Sequence, residues 1–232
     1  MVCRFITVVL LCSYALQVLG SPIPSETNSS WSSDALFHIV QETSHTTKIV
    51  VGNVLQYYCD NMWYFPGVEC KDFIEHLTNL TNKTFPELHL REDLNFTNYD
   101  DFEMALVNMT AVISQYNTSI ESQLNRELSY LCAPAKELGV PCYYPNACFQ
   151  GTFSNDATFF CHLRNANSLL KDLKLLLTQM VTTYSFENTT VDNDLLVKSD
   201  TPLVWSRWFS MVTLHHLQNL LNQVDDKLRL EF

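Results

Sequence analysis

Apolar residues recur at steps of three and four along four long stretches of the chain, each bounded by polar or helix-breaking sequence. From Asp34, a suitable N-cap, the positions Leu36, Val40, Thr43, Thr47, Val50, Val54 and Tyr57 fall on one helical stripe. Pro66-Gly67 closes this stretch, and a long polar connection holding Pro86 runs on to about Tyr99. A second helix opens at Asp100-Asp101, where a helix N-terminus favours negative charge. Its stripe is Phe102, Leu106, Met109, Ile113, Tyr116 and Ile120, and Ala133-Pro134 is its stop. The segment to Asn155, rich in Pro, Tyr and Cys, reads as loop.

The third stretch has the clearest rhythm: Phe159, Leu163, Ala166, Leu170, Leu173, Leu177, Met180 and Tyr184. In the fourth, Pro202 suits a first helical turn, and Leu214, Leu217, Leu221, Val224 and Leu228 form the stripe. The pattern thus predicts helices over about 34–60, 100–131, 158–184 and 203–229, with no strand alternation and no internal repeat.

Four amphipathic helices bury their stripes most simply as an all-α four-helix bundle. At 1.5 Å per residue each is ~37 Å long, and a connection returning along that length needs ~11 extended residues. The first and last connections are long enough, which permits an up-up-down-down order beside an up-down-up-down one.

The N-terminus reads as a secretory signal over residues 1–20: Arg4, then the apolar run Phe5 to Leu11, then Val18-Leu19-Gly20 before Ser21. That run is shorter than the ~20 residues a bilayer span needs, so no membrane insertion is expected. Residues 21–232 form the mature domain. Losing Cys3 and Cys12 reduces eight cysteines to six, and losing Arg4 takes the net charge from -11 to -12. So acidic a chain is a poor partner for nucleic acid. Its 47% hydrophobic content excludes disorder, and five glycines leave little for phosphate-cradling loops.

Secretion gives meaning to seven Asn-x-Ser/Thr sequons, at Asn28, Asn79, Asn82, Asn95, Asn108, Asn117 and Asn188. Asn108 points away from the second stripe and Asn117 flanks it, so both have room for sugar. The first, third and fourth helices carry no sequon, which leaves their faces bare for a partner. Cys59, Cys70, Cys132, Cys142, Cys148 and Cys161 are expected to pair in an oxidising compartment, in any of fifteen connectivities. In an up-up-down-down bundle all six fall near one end, and only there could the first helix be tied to the second or third.

Catalytic patterns are missing: there is no G-x-S-x-G, no H-E-x-x-H and no C-x-x-C. His215-His216 are adjacent and cannot share a face as metal ligands, and His38 and His45 read as surface residues. Asp192-x-Asp194 and Asp225-Asp226 do not fit an EF-hand and read as solvated acids. No enzyme activity, metal or cofactor is expected. Binding is suggested instead by Ile49 and Leu55 off the first stripe and by Leu175 among Arg164, Ser168, Lys171 and Asp172. Trp205, Trp208 and Phe209 beside Arg207 have the composition of an interface hot spot, with Trp63, Tyr64 and Phe65 alongside.

Val54-Leu55-x-Tyr57-Tyr58 before Phe65-Pro66, Leu169-Leu170-x-x-Leu173, and Trp208-Phe209-Ser210-Met211 leading into Leu217 carry a resemblance. With the signal sequence and long connections, they make the chain resemble a long-chain four-helix cytokine of the interleukin-6 family. The leukaemia inhibitory factor and ciliary neurotrophic factor branch, with its fish members, is the most similar. The resemblance implies an up-up-down-down bundle and a monomeric secreted ligand for class I cytokine receptors. It implies that the first and third helices, through Glu42, His45, Lys48, Arg164, Ser168, Lys171, Asp172 and Leu175, hold the shared signal-transducing receptor. The start of the last helix, through Trp205, Arg207, Trp208 and Phe209, engages a second chain. The sequence departs from that branch in lacking its Phe-x-x-Lys pair and in carrying Cys142 and Cys148. A secreted carrier of a small lipid or other apolar ligand is the alternative reading.

Overall fold

A computed structural model describes residues 33–80, 85–86, 99–142, 148, 154–186 and 201–230. The chain divides into two units, Met1–Ser32 and Ser33–Phe232. The first unit, with the expected signal sequence and Asn28, lies outside the described residues, as do Asn82, Asn95 and Asn188. The second unit contains five helices: α1 (Ser33–Asn61), α2 (Cys70–Leu80), α3 (Tyr99–Glu137), α4 (Asn155–Thr183) and α5 (Leu203–Leu230). They pack as an all-α bundle in which α1 and α3 each contact both α4 and α5, while α2 lies on α5.

α4 follows its sequence pattern from Phe159 to Met180: Phe159, Leu163, Ala166, Leu170, Leu173, Leu177 and Met180 are all buried, while Tyr184, the last of the stripe, caps the helix half-buried. Its start is fixed by Ser154, whose hydroxyl accepts the Ala157 amide at 3.3 Å. Its end is fixed by Ser185 at φ 58°, with the Phe186 amide reaching back to the Val181 carbonyl at 3.0 Å.

α1 departs from the pattern by a rotation. Ser44, Val51, Leu55 and Tyr58 are buried, whereas Thr43, Val50 and Tyr57 are only half-buried. A strict four-three alternation has a period of 3.5, and a straight helix drifts ~20° per heptad relative to it. Leu55, expected off the stripe, is therefore in the core at 9% exposure.

α3 runs past Pro134 instead of stopping there. Proline withholds its own N–H and leaves the Tyr130 carbonyl without that donor. Pro134 lies in the last turn of α3, and Tyr130 is half-exposed. The helix stops at Gly139, φ +66°, where Gly139 N–H bonds the Lys136 carbonyl and Val140 N–H the Ala135 carbonyl. That pair of bonds needs a left-handed residue, and glycine adopts it freely.

α2 falls where the sequence reads as a polar connection. Among its described side chains, Cys70, Phe73, Ile74 and Leu77 turn inward, and 11 residues are too short a run to stand out by periodicity. Further along that connection Phe85 is buried and stacks on His216 (4.0 Å) and Phe209 (5.9 Å). The Tyr116 hydroxyl donates to the Pro86 carbonyl at 3.1 Å.

The six cysteines form Cys59–Cys70, Cys132–Cys142 and Cys148–Cys161. Each bridge spans 10 to 13 residues of sequence, and none joins α1 to α3 or α4. They brace helix ends and mark folding in an oxidising compartment. Among the described residues, no helix is long and apolar enough to cross a membrane.

Candidate functional site: the aromatic end

The last turns of α1 lie against the first turns of α4. Tyr57 meets His162 at 4.8 Å and Tyr58 meets Phe159 at 5.8 Å. The Asn155 side-chain amide donates to the Asn61 carbonyl at 2.8 Å. The last turns of α3 pack on the same part of α4, with Leu128 and Leu131 against Ala157 and Phe160. α5 begins here too: Trp208 lies 5.5 Å from Phe65 and 5.2 Å from Phe73.

On this frame stands a connected set of rings. Tyr64 stacks on Phe65 at 5.0 Å, Phe65 leans on Trp208, and Trp208 meets Trp205 edge-on at 4.7 Å. The two tryptophans do different things. Trp208 is half-buried, and its indole N–H is a donor only. Burial pushes the Tyr58 hydroxyl up to about 12, against the lowering influence of Arg207 and Trp208. Trp205 is 57% exposed, and beside it Tyr64 is 68% and Phe65 37% exposed. Val68 and Val204 complete the open apolar surface. Phe209 turns the other way, toward Phe85 and the core.

Arg207, read from sequence as part of the hot spot, faces inward instead. Its side chain is 12% exposed. It donates from Nε and Nη2 to Glu127 at 2.8 and 2.6 Å and from Nη1 to Asp156 at 2.8 Å. Glu127 is fully buried and also accepts from Gln123 Nε2 at 2.7 Å, while Gln123 accepts the Ser206 hydroxyl. Burial acts to lower the Arg207 pKa. The bidentate bond and charge of Glu127, then those of Asp156, outweigh it and hold the guanidinium above its ordinary value. The network joins α3, α4 and α5 directly beneath the rings. A signal for it exists in sequence: Gln123 and Glu127 continue the stripe of Ile113, Tyr116 and Ile120, and a charge on a core stripe demands a partner.

The α1 and α4 faces are less uniform. Glu42 and Ser168 are exposed, as are Ile49 at 50% and Leu175 at 63%. Lys171 pairs with Glu121 at 2.6 Å in the open. Lys48 and His45 instead bond the carboxylate of Asp225 at 2.5 and 3.1 Å. Asp225 is buried, not a solvated acid, and it ties α1 to α5. Arg164 lies 3.8 Å from the Cys148 sulfur. Partial burial raises the Asp172 carboxyl and lowers the His162 ring from their ordinary values.

Asn117 corrects a second expectation. It is 4% exposed, and its side-chain amide donates to Asn167 Oδ1 at 3.2 Å across the α3–α4 interface. That nitrogen is where a glycan would be attached. Asn108 is half-exposed.

A cleft of about 250 Å³ between α1, α2 and α5 is lined by Gly52, Leu55, Lys71, Glu75, His215 and Gln218, among others. Among the described residues, no group of three His, Cys, Asp or Glu side chains could hold a metal. No protein-family model, curated protein or solved structure matches the chain.

Proposed function

We propose that the protein is a secreted helical cytokine that assembles class I cytokine receptors, among them the shared signal-transducing chain of the interleukin-6 family. The observation that carries this reading is the open aromatic surface of Tyr64, Phe65 and Trp205 on a buried ion network. Large exposed aromatics on rigid elements are what protein interfaces use as anchors.

The packing supports an up-up-down-down order. Both α1 and α3 end where α4 begins, α5 begins beside the end of α1, and the middle of α1 meets the C-terminal part of α5 through Lys48 and Asp225. Ligand action would then be geometric: a braced spacer holding two receptor chains at fixed separation. One chain would meet the aromatic end. The other would meet the α1–α4 faces around Glu42, Ile49, Lys171 and Leu175.

The test is binding of the glycosylated protein to the extracellular part of the shared receptor, using Trp205→Ala and Lys171→Glu. Trp208 is a poor probe because it packs inward. Micromolar or tighter binding, lost with Lys171→Glu and kept with Trp205→Ala, is the expected result. Absence of binding overturns the family assignment.

A further inference from the structure

We propose that the aromatic end takes a protein partner that surrounds an apolar cleft with arginine and lysine side chains. This rests on the reading of that end as a docking surface and adds the chemistry of what docks. Three observations lead to it. First, five large apolar side chains are open together on two neighbouring segments: Tyr64, Phe65, Val68, Val204 and Trp205.

Second, the segment that carries Tyr64, Phe65 and Val68 is acidic. Between Asp60 and Glu75 the exposed charges are Asp60, Glu69, Asp72 and Glu75 against Lys71 alone, a balance of four to one. Asp60 precedes Trp63 by three residues, Glu69 follows Val68 and Asp72 precedes Phe73, so these exposed acids share the chain segments that carry the rings. The nearest cation on α5, Arg207, is covered and offset by Glu127 and Asp156.

Third, the exposed faces of Trp205 and Tyr64 carry the negative side of the aromatic quadrupole, which attracts a guanidinium. Apolar anchors with an anionic border call for apolar pockets with a cationic border, and the charges speed and orient the encounter. An anionic lipid surface would be repelled by the same acids.

The experiment follows tryptophan emission of the glycosylated protein against three probes: a dodecapeptide alternating leucine and arginine, its leucine–glutamate twin, and vesicles containing phosphatidylserine. The arginine peptide should bind. It should weaken on the order of tenfold with Glu69→Lys/Asp72→Lys, the size expected of two rim charges. It should weaken also with Trp205→Ala and with added salt. The same charge change at Asp101 and Glu103, near the start of α3 and far from the rings, should leave it within about twofold. Equal binding of both peptides, equal loss with the distant charge reversals, or a preference for the vesicles overturns the proposal. No receptor enters this experiment, so a failed receptor assignment and a wrong surface chemistry give separate results.

Discussion

Replacing Glu127 by leucine tests whether the network beneath the rings holds the start of α5. The carboxylate is fully buried and accepts three hydrogen bonds, two from Arg207 and one from Gln123. Removing it strands a guanidinium whose side chain is 12% exposed. Breaking a buried pair on one side costs about 3–5 kcal/mol. Asp156 remains to accept one bond, which favours the lower end of that range.

For a domain of this size each kcal/mol moves Tm by roughly 2–4 °C, so Glu127→Leu should lower it by about 6–20 °C. Arg207→Met should cost a similar amount by stranding Glu127. The double variant Glu127→Leu/Arg207→Met should recover to within about 2 kcal/mol of the parent, since a buried pair replaced by apolar groups of similar volume is often neutral. The residual cost comes from the Gln123 amide, which loses its acceptor. Thermal unfolding by circular dichroism at neutral pH, run as a double-mutant cycle, measures the coupling. A Glu127→Leu shift below about 3 °C, the scale of an exposed ion pair, or additive losses in the cycle, would refute the reasoning.

Other outcomes follow from single residues. Peptide mapping after deglycosylation should find Asn108 occupied and Asn117 unmodified, because a glycan on Asn117 would have to displace its bond to Asn167. Gly52→Ala should stabilise by up to about 1 kcal/mol in denaturant unfolding, the helix-propensity gain. The added Cβ would meet only the movable Nε2 end of Gln218, at 2.6 Å, and destabilisation would show that Gln218 is fixed. Tyr58 is pushed up to about 12 from 10.0, so the folded state holds its proton more tightly than the unfolded one. Its contribution is complete below pH 10.0 and is lost as pH rises toward about 12. Ultraviolet titration should show a late phenol that is absent in Tyr58→Phe. His162, lowered by burial, has the opposite sign: stability should fall as pH drops below 6.5, and less so in His162→Gln.

Much of the helical layout was legible because an apolar stripe is a local property. The α4 stripe appears in the chain as it appears in the fold, and the cysteines announced an oxidising compartment. The misses have identifiable causes. α2 was too short for a period to be read. Pro134 looked like a stop, but the helix carries it in its last turn and ends at Glu137. On α1, a 3.5-residue rhythm drifted off a 3.6-residue helix and placed Leu55 on the wrong face.

The aromatic end was legible as a composition and not as a geometry. Trp205, Arg207 and Trp208 were read together as one interface group, whereas the fold divides them. Trp205 stands in the open, Trp208 rests on Phe65, Phe73 and Tyr58, and Arg207 turns beneath to Glu127.

By itself the sequence determined that the chain is helical and which faces of α3 and α4 are apolar. Those properties depend on residues within a few turns of one another, where backbone hydrogen bonds set the period. Tertiary structure alone decided which side chains meet a partner. Arg207 finds Glu127 across 80 residues of sequence, and Lys48 finds Asp225 across 177. Whether a charged or aromatic group is satisfied within the bundle or left for solvent depends on what the other helices bring to it, and no local pattern carries that information.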